Sequence, residues 1–199
     1  MSRELAAEIA ITAARLVVDE GLDYGSAKRR AVRELNLSAR TGDLPSNDML
    51  EEEVRARLAL FHADTQPGEL AALRAIAATW MERLAAFRPH LAGAVWRGTA
   101  TRLSTVHIDL YCDDSKAAEL ALIAHRVDYD VGSHTDKRGR QVDILSVEQS
   151  SRELGVRVQV AMSILDYDDL RGALRSDSRG RRPRGDLAAL RVSMAEAVA

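Results

Sequence analysis

The sequence predicts an α+β fold, in which a mixed or antiparallel sheet is covered by helices on one side and preceded by an N-terminal helical segment. Three observations lead there. Up to Phe87, apolar residues recur at intervals of three and four, the mark of helices that pack through one face. After Pro89 the period changes to alternation, the mark of strands. Each longer alternating segment has one apolar and one polar face, which suits a sheet packed on a single side rather than a doubly wound parallel sheet buried on both. With 199 residues, 46% apolar and 29% charged, the chain has room for one substantial core plus a small helical appendage.

The elements follow in order. Leu5, Ile9, Ala13, Leu16 and Val17 mark a first helix that should end at Gly21, a favourable C-cap. Ala27, Ala31 and Leu35 mark a second, with Lys28, Arg29, Arg30 and Arg33 crowding its other faces. Gly42 and Pro45 imply a loop, after which Ser46, Asn47 and Asp48 offer N-cap oxygens to a third helix striped by Leu50, Val54, Leu58 and Phe61. Pro67 suits the first turn of a long helix carrying Leu70, Leu73, Ala77, Trp80, Leu84 and Phe87, which Pro89 should terminate. Residues 91–97 read as a short apolar strand. In residues 106–113, Val106, Ile108, Leu110 and Cys112 alternate with His107, Asp109, Tyr111 and Asp113. A short amphipathic helix over 115–125 follows, with Asp113 and Asp114 as its N-caps. Strands are expected near 128–131, over 141–148 and over 156–164, with a hairpin at residues 134–141. The expected domains are a helical segment over 1–63, an α+β domain over 66–170, an exposed basic linker over 171–185 and a C-terminal helix over 186–199 capped by Asp186.

Composition narrows the setting. A net charge of −2 gives no global pull toward nucleic acid or membrane, so any such affinity must be local. The lone Cys112 rules out an intrachain disulfide and fits a reducing compartment. The N-terminal stretch is interrupted by Glu4, Glu8 and Arg15 and has no signal-peptide pattern, and no apolar run reaches membrane-spanning length. These features predict a cytoplasmic protein that does not engage membranes. The heavy use of Ala, Arg and Leu suits a bacterial source. No Gly-Lys-Thr or Gly-Lys-Ser turn is present, which argues against a P-loop enzyme.

Chemistry concentrates in residues 96–114, WRGTATRLSTVHIDLYCDD. Residues two apart on a strand point the same way, so a pair at that spacing can present two ligand groups together. This stretch resembles the signature of the nucleotidyltransferase superfamily, the fold of polymerase beta and the minimal nucleotidyltransferases. There a Gly-Ser turn precedes a strand bearing Asp-x-Asp, and the likeness in element order extends over about residues 66–165. It implies that Gly98 and Thr99 take the Gly-Ser role at a nucleotide triphosphate, and that His107 and Asp109 stand where the family has its two carboxylates. Asp143 is the choice for the third, ahead of Asp128 and Asp130. The implied cofactor is Mg²⁺ or Mn²⁺ with the triphosphate, and the implied partners are a nucleotide and an RNA or protein acceptor. Arg157, Arg179, Arg181 and Arg182 are the expected phosphate contacts, because guanidinium matches phosphate geometry. Imidazole at His107 is a poor ligand for a hard ion, so nucleotide binding with impaired transfer is the reading adopted. The alternative is a DNA-binding regulator, since the first two helices resemble those of TetR-type regulators and the second is rich in arginine.

Overall fold

The computed structural model describes residues 2–37, 44–136, 139–176 and 180–197. It is a mixed α+β structure with one five-stranded sheet, in the order β1-β2-β5-β4-β3. Helices α1 (Ser2–Glu20), α2 (Tyr24–Glu34) and α3 (Asn47–Phe61) lead into α4 (Gln66–Arg83). Then come β1 (His90–Ala92), α5 (Gly93–Arg97), β2 (Val106–Tyr111) and α6 (Ser115–Ala124). The chain continues through β3 (Asp130–Thr135), β4 (Gln141–Ser151), β5 (Val156–Leu165), α7 (Leu170–Ala173) and α8 (Leu187–Glu196). It divides into two compact units, one of residues 1–68 with 99–104, the other of residues 69–98 with 105–199.

The first unit is built on α1 to α3. Ile9, Ala13, Leu16, Ala27, Ala31, Leu50 and Val54 are fully enclosed, as their helical spacing predicts. Gly21 closes α1 at φ +72, and Asp23 and Ser46 accept hydrogen bonds from the first turns of α2 and α3. The charges around this core pair with one another. Arg30 binds Glu20 and Glu34, and Arg57 binds Asp19 through two bonds. That fork holds the Asp19 carboxyl below its usual range.

The second unit holds the sheet. Strands β2 and β5 run parallel, whereas β1 with β2, β4 with β5, and β3 with β4 are antiparallel. In register, Ile108 lies beside Met162 and Met162 beside Leu145, giving one continuous apolar row. Trp80 of α4 joins the same face, since its indole N–H donates to Gln149 Oε1 at 2.6 Å. The hairpin between β3 and β4 is present, as are the caps Asp114 on α6 and Asp186 on α8.

Several expectations are corrected. The strand expected over 91–97 stops at Ala92, because Gly93 takes φ +70 and the chain turns into α5. The long helix ends at Arg83, and a 3-10 turn, Ala85–Phe87, carries the chain to Arg88 at φ 47. The helix cap is Asp114, since it and not Asp113 accepts the Lys116 N–H. The segment expected to be an exposed linker is partly docked. It begins inside α7, and Leu91 and Gly185 exchange both backbone hydrogen bonds, at 2.8 and 3.0 Å.

Gly185 is required there by space. A Cβ on it would lie 2.2 Å from the Trp96 ring, whose indole N–H donates to the Arg182 carbonyl at 2.8 Å. Gly185→Ala should therefore cost about 1–3 kcal/mol in urea denaturation through overpacking. Gly172→Ala, whose Cβ would meet nothing within 4 Å, serves as the control with little loss.

Candidate functional site

Alternation along β2 turns His107, Asp109 and Tyr111 to one face, as the sequence predicts. Their environments differ from expectation. His107 is exposed, while Asp109 is 8% and Tyr111 2% exposed, where an open polar face was expected. The cause lies far along the chain. Docking of Gly185 on β1 carries Arg184 over β2, where its Nη1 donates to Asp109 Oδ2 at 2.5 Å and to the Tyr111 hydroxyl at 2.8 Å.

Burial pushes the Asp109 carboxyl above its usual range, because removing a carboxylate from water outweighs the holding effect of Arg184 and the smaller ones of His90 and His134. Burial and the neighbouring Asp109 charge likewise push Tyr111 up to about 12. The phenol therefore keeps its proton at any ordinary pH. His90, in register with Asp109 on β1, meets the Tyr111 ring edge-on at 5.3 Å. Its Nδ1 donates to the Arg88 carbonyl at 2.9 Å, which fixes the tautomer.

The remaining predicted residues do not gather here. Asp143 lies next to Ile144, which pairs with Ser163, itself the partner of Asp109. One residue of offset puts Asp143 on the opposite face of the sheet. Arg157 shares the Asp109 face but stands six residues along β5 from Ser163, about 20 Å away at strand rise, and pairs with Glu148. Gly98 is the left-handed C-cap of α5, and its N–H donates to Ala94 O, so it is committed to the helix end. Thr99 is 2% exposed, with its hydroxyl buried and without a hydrogen-bond partner. Arg181 and Arg182 are exposed, and Arg179 lies outside the described residues.

These placements test the implied metal. A pair of Mg²⁺ or Mn²⁺ ions needs several oxygen ligands converging on one point. The chain offers an imidazole at His107, a carboxylate already bonded to a guanidinium at Asp109, and Asp143 on the other face. No group of three His, Cys, Asp or Glu among the described residues is placed to hold a metal ion. The donor set does not fit the cofactor.

Beside Arg184 is a recess of about 360 Å³ whose walls include Tyr111, Leu165, Arg140, Asp169, Arg175 and Arg184. Tyr111 and Leu165 are the last residues of the parallel strands β2 and β5. The carboxyl end of parallel strands is where open α/β sheets place ligands. Arg140 is held in the wall by Asp136, Asp166 and Asp169, at 2.9, 3.3 and 2.7 Å. From sequence alone Arg175 and Arg184 count only among the arginines of the basic 171–185 segment, and Arg140 is not singled out. The available signal was Pro183-Arg184-Gly185 before the Asp186 cap, a rigid turn delivering an arginine beside a glycine that permits close backbone approach.

Arg184→Ala should cost about 3 kcal/mol near neutral pH, since it leaves a buried carboxylate uncompensated. The sign of the pH dependence follows from the raised Asp109 pKa. The folded state holds the proton more tightly than the unfolded one, so the penalty on this group is full above its folded pKa and is relieved as pH falls through it. Urea denaturation should show the Arg184→Ala deficit largest at pH 7 to 8 and shrinking toward about pH 4, the ordinary carboxylate range. A deficit independent of pH would show that the charge on Asp109 is not its source.

No protein-family model and no curated protein matches the sequence. Among solved structures, the Cid1 poly(U) polymerase bound to MgGTP is similar over 57% of this chain and 38% of that chain, with 15% identity and a TM-score of 0.37. The same polymerase in complex with the UTP analogue UMPNPP is similar over 57% and 36%, with 14% identity and a TM-score of 0.36. The chain thus matches less than two-fifths of the length of those structures.

Proposed function

We propose that the second unit is a nucleotidyltransferase-like domain that binds a nucleotide without transferring it. The observation that carries this reading is the recess at the carboxyl ends of β2 and β5, into whose wall Arg184, Arg175 and Tyr111 enter together. Its volume, about 360 Å³, lies within the range of small-ligand sites. Arginine supplies paired donors to phosphate oxygens, and the protonated Tyr111 hydroxyl adds a neutral donor. Arg140, neutralised by three carboxylates, shapes the wall more than it attracts an anion.

The same geometry argues against transfer. Displacement at a triphosphate needs its developing charge neutralised beside the reacting phosphorus. The carboxylates expected to hold ions for that purpose are His107 by replacement, Asp109 in an ion pair and Asp143 on the opposite face. An RNA or protein acceptor belongs to this reading only if transfer occurs. The DNA-binding alternative draws less support, because the arginine-rich helix α2 spends Arg30 on Glu20 and Glu34 and sets Arg29 against Ser26.

Calorimetric titration of the full chain with ATP and with UTP should give saturable binding. Arg175→Gln should weaken it about tenfold, the worth of one charged hydrogen bond. Because Arg175 is exposed, its melting temperature should not move. Absence of heat with either nucleotide would sink the reading. Incorporation of labelled UTP into RNA would replace it with an active transferase.

A further inference from the structure

The fold resemblance brings an expectation of divalent metal, and the residues of this chain disagree with it. The cation that Asp109 does hold is the Arg184 guanidinium, supplied by the chain itself. Its atoms are unequally used. Nη1 makes both bonds, one to Asp109 Oδ2 and one to the Tyr111 hydroxyl. Nε is buried and has no hydrogen-bond partner. A buried donor left unpaired is costly, and natural structures seldom retain one without a reason. In the planar guanidinium, Nε and Nη2 form one edge, the fork that takes up carboxylate and phosphate through two parallel bonds. With Nη1 anchored on Asp109 and Tyr111, that edge is the part of Arg184 not engaged by them, and Arg184 lines the recess.

We propose that Arg184 takes the place of the divalent cation, so that a phosphoryl group is held in the recess by the Nε–Nη2 edge and nucleotide binding is independent of Mg²⁺ and Mn²⁺. The inference rests on the nucleotide-binding reading above. Asp109 becomes a positioning residue: it neither coordinates a metal nor touches the ligand, but fixes the guanidinium in the orientation that presents its fork. Tyr111 completes the clamp on Nη1. The arrangement explains why an acidic residue is buried beside a recess meant for an anion, since a carboxylate without Arg184 would repel it and Arg184 without the carboxylate would be free to swing away.

The test is titration of the full chain with ATP in two buffers, one with excess EDTA and one with excess Mg²⁺. The two dissociation constants should agree within about threefold. Binding in Mg²⁺ alone overturns metal independence and leaves the nucleotide reading standing. Binding in neither buffer removes both. In EDTA, Arg184→Gln should lose at least about tenfold in affinity, since a charged hydrogen bond to phosphate is replaced by a neutral one. Its fold is checked by circular dichroism. Asp109→Asn, which retains an acceptor for Nη1, should lose less. Wild-type affinity in Arg184→Gln, or a larger loss in Asp109→Asn than in Arg184→Gln, would overturn the assignment.

Discussion

The second unit is organised around the buried carboxyl of Asp109. Alternation along β2 sends Asp109 inward beside His90 of the edge strand, and a carboxylate so enclosed needs a cation or a proton. The cation comes from Arg184, 75 residues later in the chain. To deliver it, the C-terminal segment must lie along β1, and the double hydrogen bond between Leu91 and Gly185 holds it there. Trp96 packs on the bare face of Gly185 and ties down the Arg182 carbonyl, so the approach of Arg184 is fixed from both sides. One residue on, Asp186 caps α8, whose Leu190 is fully buried. The ion pair, the backbone bonds of Gly185 and the Asp186 cap thus follow one another within three residues and tie the tail to the sheet edge and to the last helix.

That coupling decides the chemistry available. A carboxylate drawn to a guanidinium through Oδ2 already has a cation beside it, and a second, hard cation would be repelled by that guanidinium. A phenol whose pKa lies about 12 stays a donor, and with Arg184 donating to its oxygen, its own proton remains to be given. Arg184 and Tyr111 thus add donors to a wall that also carries Asp169, whose carboxylate is bonded to Arg140.

Much of this was readable in the sequence, and the failures share a cause. The change of period after Pro89, the caps at Ser46, Asp114 and Asp186, and the hairpin between β3 and β4 are local signals, and the structure realises them. The sequence also places Asp109 and Tyr111 on one face of a strand correctly. It misplaces their exposure, because a polar strand face reads as solvated unless the covering segment is known, and here that segment is rich in arginine, glycine and proline, the composition of a linker. The apolar run at residues 91–97 is too short for its period to separate strand from helix. Asp143 shows the sharpest limit. Whether it joins Asp109 depends on the parity of the β4–β5 register, and one residue of offset between strands reverses the face.

A motif is a statement about neighbours in sequence, whereas a metal site is a statement about neighbours in space. His-x-Asp on β2 satisfies the first. It would satisfy the second only if a third oxygen donor stood across β5 on the same face, and that row offers Ser163 and Ile144. On the reading proposed above, the imidazole of His107 and the guanidinium that Arg184 supplies from later in the same chain act in one direction, against a hard cation and in favour of an anion. The two features would be unrelated if Asp109 stood on a solvated strand. They belong together if Asp109 serves to aim Arg184, because a carboxylate engaged by a fixed guanidinium needs no second carboxylate beside it to hold a cation.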